Sequence, residues 1–369
     1  MYTEKDLVRI AKRENNNKRN YLVMNCFQGK HIPVSPKVAF QMFDALAQEL
    51  KNAYQNETLL LIGFAETATA IGARLAIRMD TYYMQTTREQ VKGADYIFFS
   101  ETHSHATEQK LVHEDIEALI GIADRIIFVE DEVTTGNTIL NIIQKLEALY
   151  PAQVKFSVAS ILNGMNQQAL ARYAEQKIHL HYLVKTNHEG YAKVAEELIG
   201  DGGYIPVQKK QSMEAEQYFV DGYVNARRYT TGIEYQNACL KLWGQIKEQL
   251  PLKQLENILV IGTEEFMYPA LFAGACLEDC GNHVVCHSTT RSPIAVSSQS
   301  SYPLHIRYEL ESFYQKDRRT FVYDLKKYDR VIMITDAKAH LTEGAASLVC
   351  ALRSCGNENI QLFWWGENR

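Results

Sequence analysis

The chain has no apolar run of membrane-spanning length, which argues against a transmembrane helix. Its opening residues, Met1-Tyr-Thr-Glu-Lys-Asp6, lack the apolar core of a signal peptide, so a cytoplasmic location is expected. Positive charge is not in excess either. Lys and Arg number 39 against 44 Asp and Glu, a net charge of -5, and spots such as Lys18-Arg19 and Lys209-Lys210 are too short for a nucleic-acid footprint. No helix-turn-helix pattern is present. Cys-x-x-Cys is absent too. The seven cysteines, an odd number with six after residue 238, do not form a disulfide framework. Cys276 and Cys280 lie among Ala, Gly and Leu, which reads as buried apolar thiol rather than a metal site.

What is present is enough chain for two domains with sizeable cores: 369 residues of ordinary soluble composition. The first half alternates strands and helices. Leu59–Gly63, Thr81–Gln85, Ile97–Ser100, Ile126–Val129 and Val154–Ile161 read as strands. Pro36–Leu50, Thr67–Met79, Val112–Ala123 and Asn137–Leu149 fit helices. That order predicts an α/β fold, a mostly parallel sheet covered on both faces, with ligands at the carboxyl ends of the strands. Residues 1–205 are expected to form one domain, 206–217 a polar linker, and 218–369 a second domain.

The second half repeats the plan. Ile258-Leu-Val-Ile-Gly-Thr-Glu-Glu265 echoes the strand, Gly and Glu of Leu60-Leu-Ile-Gly-Phe-Ala-Glu66. His287-Ser-Thr-Thr-Arg291 echoes Met84-Gln-Thr-Thr-Arg88, and Arg330-Val-Ile-Met-Ile-Thr-Asp336 echoes Arg125-Ile-Ile-Phe-Val-Glu-Asp131. Tyr223-Val-Asn-Ala-Arg-Arg228 sits where Cys26-Phe-Gln-Gly-Lys-His31 sits in the first half. Four echoes in one order predict a tandem of one architecture.

The most informative stretch is Ile126-Ile-Phe-Val-Glu-Asp-Glu-Val-Thr-Thr-Gly-Asn-Thr138. An apolar strand leads to two carboxylates, Glu130 and Asp131, then to a hydroxyl- and glycine-rich loop that opens an amphipathic helix. Gly136 lets backbone approach a phosphate; Thr134, Thr135 and Thr138 can donate hydroxyls, and the helix starting near Asn137 offers free N–H groups and a favourable dipole. The carboxylates would repel that phosphate. They suit vicinal hydroxyls and a divalent cation instead. Together these describe a phosphorylated ribose.

The pattern resembles the phosphoribosyl pyrophosphate (PRPP) motif of type I phosphoribosyltransferases, and implies their Rossmann-like fold. With Thr290-Arg-Ser-Pro293 in the second half, nearly the whole chain resembles the phosphoribosyltransferases of bacterial tellurium-resistance (Ter) operons, which carry a C-terminal TRSP domain. The resemblance implies PRPP and a small nitrogenous acceptor as substrates, Mg2+ held by Glu130 and Asp131 directly or through ligand or water, and a stress-linked pathway to a nucleoside-like metabolite. A homodimer, or partner enzymes of the same operon, are the expected assemblies.

Further site residues follow from this reading. Ala65, Glu66 and Thr67 lie in the loop where the family contacts pyrophosphate; Glu66 suits Mg2+ or a cationic group, or caps a helix. Arg88 follows a strand and is expected to bind diphosphate bidentately. His103 and His105, in Glu101-Thr-His-Ser-His-Ala106, are proton-transfer candidates or exposed loop histidines. Lys30 and His31 are expected in a hood over the acceptor. Thr290, Arg291 and Ser292, with Asp336, are expected to form an anion site in the second domain, whose loop 337–344 has no Thr-Gly-x-Thr. Where 6-oxopurine enzymes carry an acid before the Thr-Gly, this chain has Thr134, closer to the orotate-type loop. The reading is a PRPP-dependent transferase; a PRPP- or nucleotide-sensing protein without turnover is the alternative.

Overall fold

The structure is a computed structural model that describes residues 2–14, 19–99, 109–207, 213–340 and 342–367. Its first half is organised on a six-stranded sheet. In spatial order the strands are Thr230–Thr231, Tyr82–Gln85, Leu59–Gly63, Arg125–Val133, Lys155–Asn163 and His179–Lys185. All neighbours are parallel except the short first strand. Leu59–Gly63 and Arg125–Val129 are buried throughout, as runs covered on both faces must be. The chain steps from Leu59–Gly63 to one side, then returns to its other side. Strand order therefore reverses between Leu59–Gly63 and Arg125–Val133, which opens a crevice at their carboxyl ends.

A five-stranded parallel sheet organises the second half, in the order Glu216–Phe219, Ile360–Trp364, Arg330–Thr335, Asn257–Gly262, His283–Ser288. Its last four strands match four of the first sheet in order and direction. The repeat seen in sequence is thus a repeat of topology, with a second reversal between Asn257–Gly262 and Arg330–Thr335.

Helices Pro36–Ala53 and Thr69–Met79 pack against Gly232–Gln249 and Tyr268–Asp279, one pair from each half. Phe40 stacks on Tyr268 at 5.7 Å, and Tyr235 lies 5.6 Å from Tyr268, so one apolar core runs through both halves. The approach is close: a Cβ on Gly232 would stand 2.3 Å from the Ala76 carbonyl oxygen. Each half also lends backbone to the other. Thr230–Thr231 pair with Tyr82 and Tyr83 of the first sheet, while Val34 and Cys286 exchange hydrogen bonds of 3.0 and 2.7 Å on the second.

Three expectations change. Ile97 to Phe99 belong to an antiparallel hairpin, Tyr96–Phe99 with Gln109–Val112, and not to the main sheet. Gly203–Ile205 pair with Ile306–Glu311, so the end of the expected first domain is built into a small sheet of the second half. The expected linker ends in the strand Glu216–Phe219, because residues 216 and 217 already pair with Gln361 and Leu362. The cysteines are all free, with Cys239 and Cys286 buried. No helix among the described residues is long and apolar enough to cross a membrane.

Candidate active site

The first crevice joins the loop after Gly63 to the end of Arg125–Val133. The loop makes a cis peptide at Ala65–Glu66 and donates the Ala65 N–H to Thr86 Oγ1 at 2.8 Å. Thr67 Oγ1 donates to Asp131 Oδ1 at 2.7 Å, so the two expected ligand loops touch. The strand runs on through the acids to Val133, so Glu130 and Asp131 lie within it and not beyond it. Strand alternation then sends Asp131 one way and Glu130 and Glu132 the other. Burial pushes the Asp131 carboxyl above its ordinary value, against the Thr67 hydrogen bond, and the Glu132 charge adds to the rise.

Behind the acids, Gly136 adopts a left-handed φ of +67° as the N-cap of helix Asn137–Leu149. That turn is fixed from behind. Tyr173 Oη donates to the Gly136 carbonyl at 2.7 Å, and Arg172 donates to that of Thr135 at 2.8 Å. Thr135 Oγ1 accepts from Asn137 N at 3.3 Å. Thr135 and Asn137 are exposed, Thr134 and Thr138 half-buried. The N-cap itself makes no side-chain capping bond, Thr135 taking the Asn137 N–H, and the first turn carries no acid. Such a terminus receives anions.

Beside it lies a cluster that the sequence reading missed. Glu132 accepts from Arg19 at 2.8 Å and lies 3.0 Å from His188 Nε2. His188 Nδ1 is 3.0 Å from Tyr21 Oη, and the Arg19 guanidinium lies 4.4 Å over the Tyr21 ring. Against the burial penalty, His188 and Arg19 hold the Glu132 carboxyl below its ordinary value. Its adjacency to Glu130-Asp131 was the available signal. The partners come from a distant hairpin and a strand end, which no spacing reveals.

Lys30 and His31 do not form an open hood. Lys30 is 1% exposed, with Nζ donating to Glu66 Oε1 at 2.6 Å, to the Glu264 carbonyl at 2.5 Å and to the Thr289 carbonyl at 2.9 Å. Glu66 accordingly serves Lys30, and accepts from the Arg291 N–H at 3.3 Å, in place of a metal or substrate cation. Lys30 and Arg291 hold its carboxyl down to about 2 despite burial. His31 is buried, and burial lowers its pKa to about 3.

The expected anion site is also corrected. Arg291 Nε donates to Glu264 at 2.7 Å and Nη2 to Glu89 at 2.7 Å, so its charge is already met by carboxylates that would repel an anion. Thr290 is buried in a bridge with Phe321, and its hydroxyl accepts from Ser292 N at 3.2 Å. Asp336 sits elsewhere, with Arg227 and Tyr223. Arg88 lines a cleft of about 660 Å³ that faces Tyr223, Arg227 and Asp336 of the second half. The Arg88 charge also helps to lower the Glu66 carboxyl of the expected pyrophosphate loop. His103 and His105 lie outside the described residues.

With this geometry in view, comparison with known proteins adds two family matches. Residues 7–189 match the model described as phosphoribosyl transferase (PRTase_2), and residues 228–352 match the TRSP domain C terminus to PRTase_2. No curated protein matches the chain. Solved structures similar to it include adenine phosphoribosyltransferase from Rhodothermus marinus, with 16% identity, 49% of this chain and 96% of that one covered, and a TM-score of 0.38. The enzyme from Leishmania tarentolae shows 15% identity, 49% and 85% coverage, and a TM-score of 0.37. That from Saccharomyces cerevisiae shows 13%, 48% and 95%, with a TM-score of 0.34.

Proposed function

We propose that this chain, whose two regions match a phosphoribosyl transferase family and its C-terminal TRSP domain, transfers ribose 5-phosphate from PRPP to a nitrogenous, base-like acceptor and releases pyrophosphate. One observation carries the reading: an acid-free helix N-terminus behind left-handed Gly136, next to a strand that delivers Glu130 and Asp131. The N–H groups from Gly136 onward and the hydroxyls of Thr134, Thr135 and Thr138 bind the 5-phosphate. Asp131, on the crevice face beside Thr67, accepts from the ribose hydroxyls, and Glu130, on the other face of the strand, adds negative charge next to the sugar. The loop Ala65–Thr67 bounds the pyrophosphate side, with backbone rather than the engaged Glu66 carboxylate.

As the bond from C1 to pyrophosphate breaks, positive charge grows on the sugar ring. Asp131, held by Thr67, stabilises it in place, and the loop braced by Arg172 and Tyr173 holds the phosphate end in register. His103 or His105 would exchange the acceptor proton. Mg2+ fits the arrangement as a companion of the substrate. Two carboxylates are too few for a protein cage, and among the described residues no group of three or more His, Cys, Asp or Glu could hold a metal; Mg2+ commonly takes one or two carboxylates plus substrate oxygens. When bound it neutralises charge on the leaving pyrophosphate. The resemblance to the Ter-operon family adds a stress-linked, nucleoside-like product to the proposal.

The test is incubation with PRPP, Mg2+ and pooled bases or cell metabolites, following pyrophosphate and new nucleotides. Release that depends on an acceptor supports the transferase. Tight PRPP binding with no release across the pool would replace it with a sensor.

A further inference from the structure

We propose that the cleft at the second half's own strand reversal binds a small phosphomonoester, at a site shared by both halves and separate from the Gly136 cradle. The cleft, about 660 Å³, is of a size suited to small metabolites. It opens where Asp336 follows the carboxyl end of Arg330–Thr335, and residues 88–92 of the first half form its opposite wall. That is the position in the second sheet that the candidate active site takes in the first.

Its floor holds a buried cation with unmet donors. Arg227 is 6% exposed; Nε donates to Glu265 at 2.6 Å and Nη1 to Asp336, while Nη2 meets no acceptor among the described residues. A buried guanidinium nitrogen left unpaired is costly unless a ligand or water completes it. Asp336, in contrast, is saturated. It accepts from Tyr314 Oη at 2.6 Å, from Tyr223 Oη at 2.8 Å and from Arg227. It is therefore not available to hold ribose hydroxyls as Asp131 is. The tyrosine rings leave an aromatic wall instead.

The rim selects charge. Lys92 and Lys338 are exposed, and neither has an ion pair among the described residues. The acids nearby are engaged: Glu89 accepts from Arg291 at 2.7 Å and Arg318 at 2.8 Å, and Glu367 from Asn225 at 3.0 Å. The charge of Arg227, like that of Arg291, is met by carboxylates, so its open Nη2 offers hydrogen bonds. The exposed Lys92 and Lys338 supply the excess positive charge that favours an anion with several acceptor oxygens. The loop 337–340 brings no glycine, and it lines the cleft with Lys338 and His340. This site does not rest on the transferase reading.

The test is calorimetric titration of the full chain carrying Thr138→Asp, which places a negative charge in the first cradle. The probes are ribose 5-phosphate, adenosine 5′-monophosphate and inorganic phosphate. We expect saturable binding of at least one ester, weakened roughly tenfold or more by Lys92→Glu with Lys338→Glu, since each charge-assisted contact contributes about one decade in affinity. Both lysines are exposed, so the fold should survive, as circular dichroism would verify. No saturable binding by any probe, or binding untouched by the double substitution, would overturn the site. Inorganic phosphate binding as tightly as the esters would overturn the ester assignment. Because the first cradle is disabled, a failure of PRPP turnover would leave the result unaffected.

Discussion

Lys30 and Arg227 hold matching places in the two halves, each with a side-chain nitrogen 2.6 Å from a buried glutamate, Glu66 and Glu265 respectively. These glutamates match each other in turn, each three residues after the glycine that ends its strand. The pairs sit in one seam with Arg291, Glu264, Arg318 and Glu89. Charge alternates along it and solvent is nearly excluded.

Lys30→Met should therefore destabilise the protein by about 3–5 kcal/mol, the usual loss when one partner of a buried pair is removed. Adding Glu66→Gln should recover part of it, since the stranded carboxylate would be gone. Urea unfolding of the two variants checks this. A loss below about 1 kcal/mol, the range of exposed pairs, would show that water reaches the pair.

Gly136→Ala should cost about 1–2 kcal/mol through its left-handed backbone alone. More is expected here, because the new Cβ would lie 2.3 Å from Tyr173 Oη. The turn that presents the helix N–H groups would shift, so the KM for PRPP should rise more than the stability falls. Steady-state kinetics beside thermal melts would separate the two.

Asp131→Asn should lower PRPP turnover at least tenfold with the fold intact, as loss of one charged contact worth roughly 1.4 kcal/mol implies. The wild-type rate should also fall on acidification earlier than an ordinary carboxylate would dictate, because burial raises the Asp131 pKa and the neutral form appears sooner. A pH–rate profile whose acid limb lies at or below the ordinary aspartate value would contradict this assignment.

Stability itself should decline below neutrality. Burial lowers His287 to about 4 and His31 to about 3, so below about pH 6.5 the unfolded chain takes up protons that the native state refuses. His287 is fixed as neutral by accepting from Ser288 N at 2.9 Å on Nδ1, with Nε2 2.9 Å from the Tyr323 carbonyl. Each histidine contributes a slope of up to about 1.4 kcal/mol per pH unit from there down to its native value, and Glu66 adds the same sign below its unfolded value. Melting temperatures between pH 7 and 5 should fall, and His287→Gln should flatten the fall.

The parts of this molecule that were readable in advance are those written in local period. Leu59–Gly63 and Ile126-Ile-Phe-Val129 announce themselves as apolar runs, though not the continuation of the second through its acids to Val133, and Asn137–Leu149 matches its helical spacing residue for residue. Three of the four echoes reappear as strands in one order because the same local patterns recur, and the fourth, residues 223–228 against 26–31, is loop in both halves. Lys30 shows what was not readable. Its partners stand 36, 234 and 259 residues away, and nothing in Gln28-Gly-Lys-His31 marks that lysine as buried. Arg291 misled for the same reason. An arginine after a strand suggests an anion, until Glu264 and Glu89 fold against it.

The exchange of edge segments, Thr230–Thr231 onto Tyr82–Gln85 and Val34 onto Cys286, makes the polypeptide its own mate. Either portion produced alone would expose a raw sheet border inviting self-association. Covalent continuity fixes the stoichiometry at one to one. The two sheets can therefore differ in chemistry, Thr335-Asp336 standing at the strand end where the first sheet has Glu130-Asp131, while each still closes the other's edge, a division of labour closed to two identical subunits.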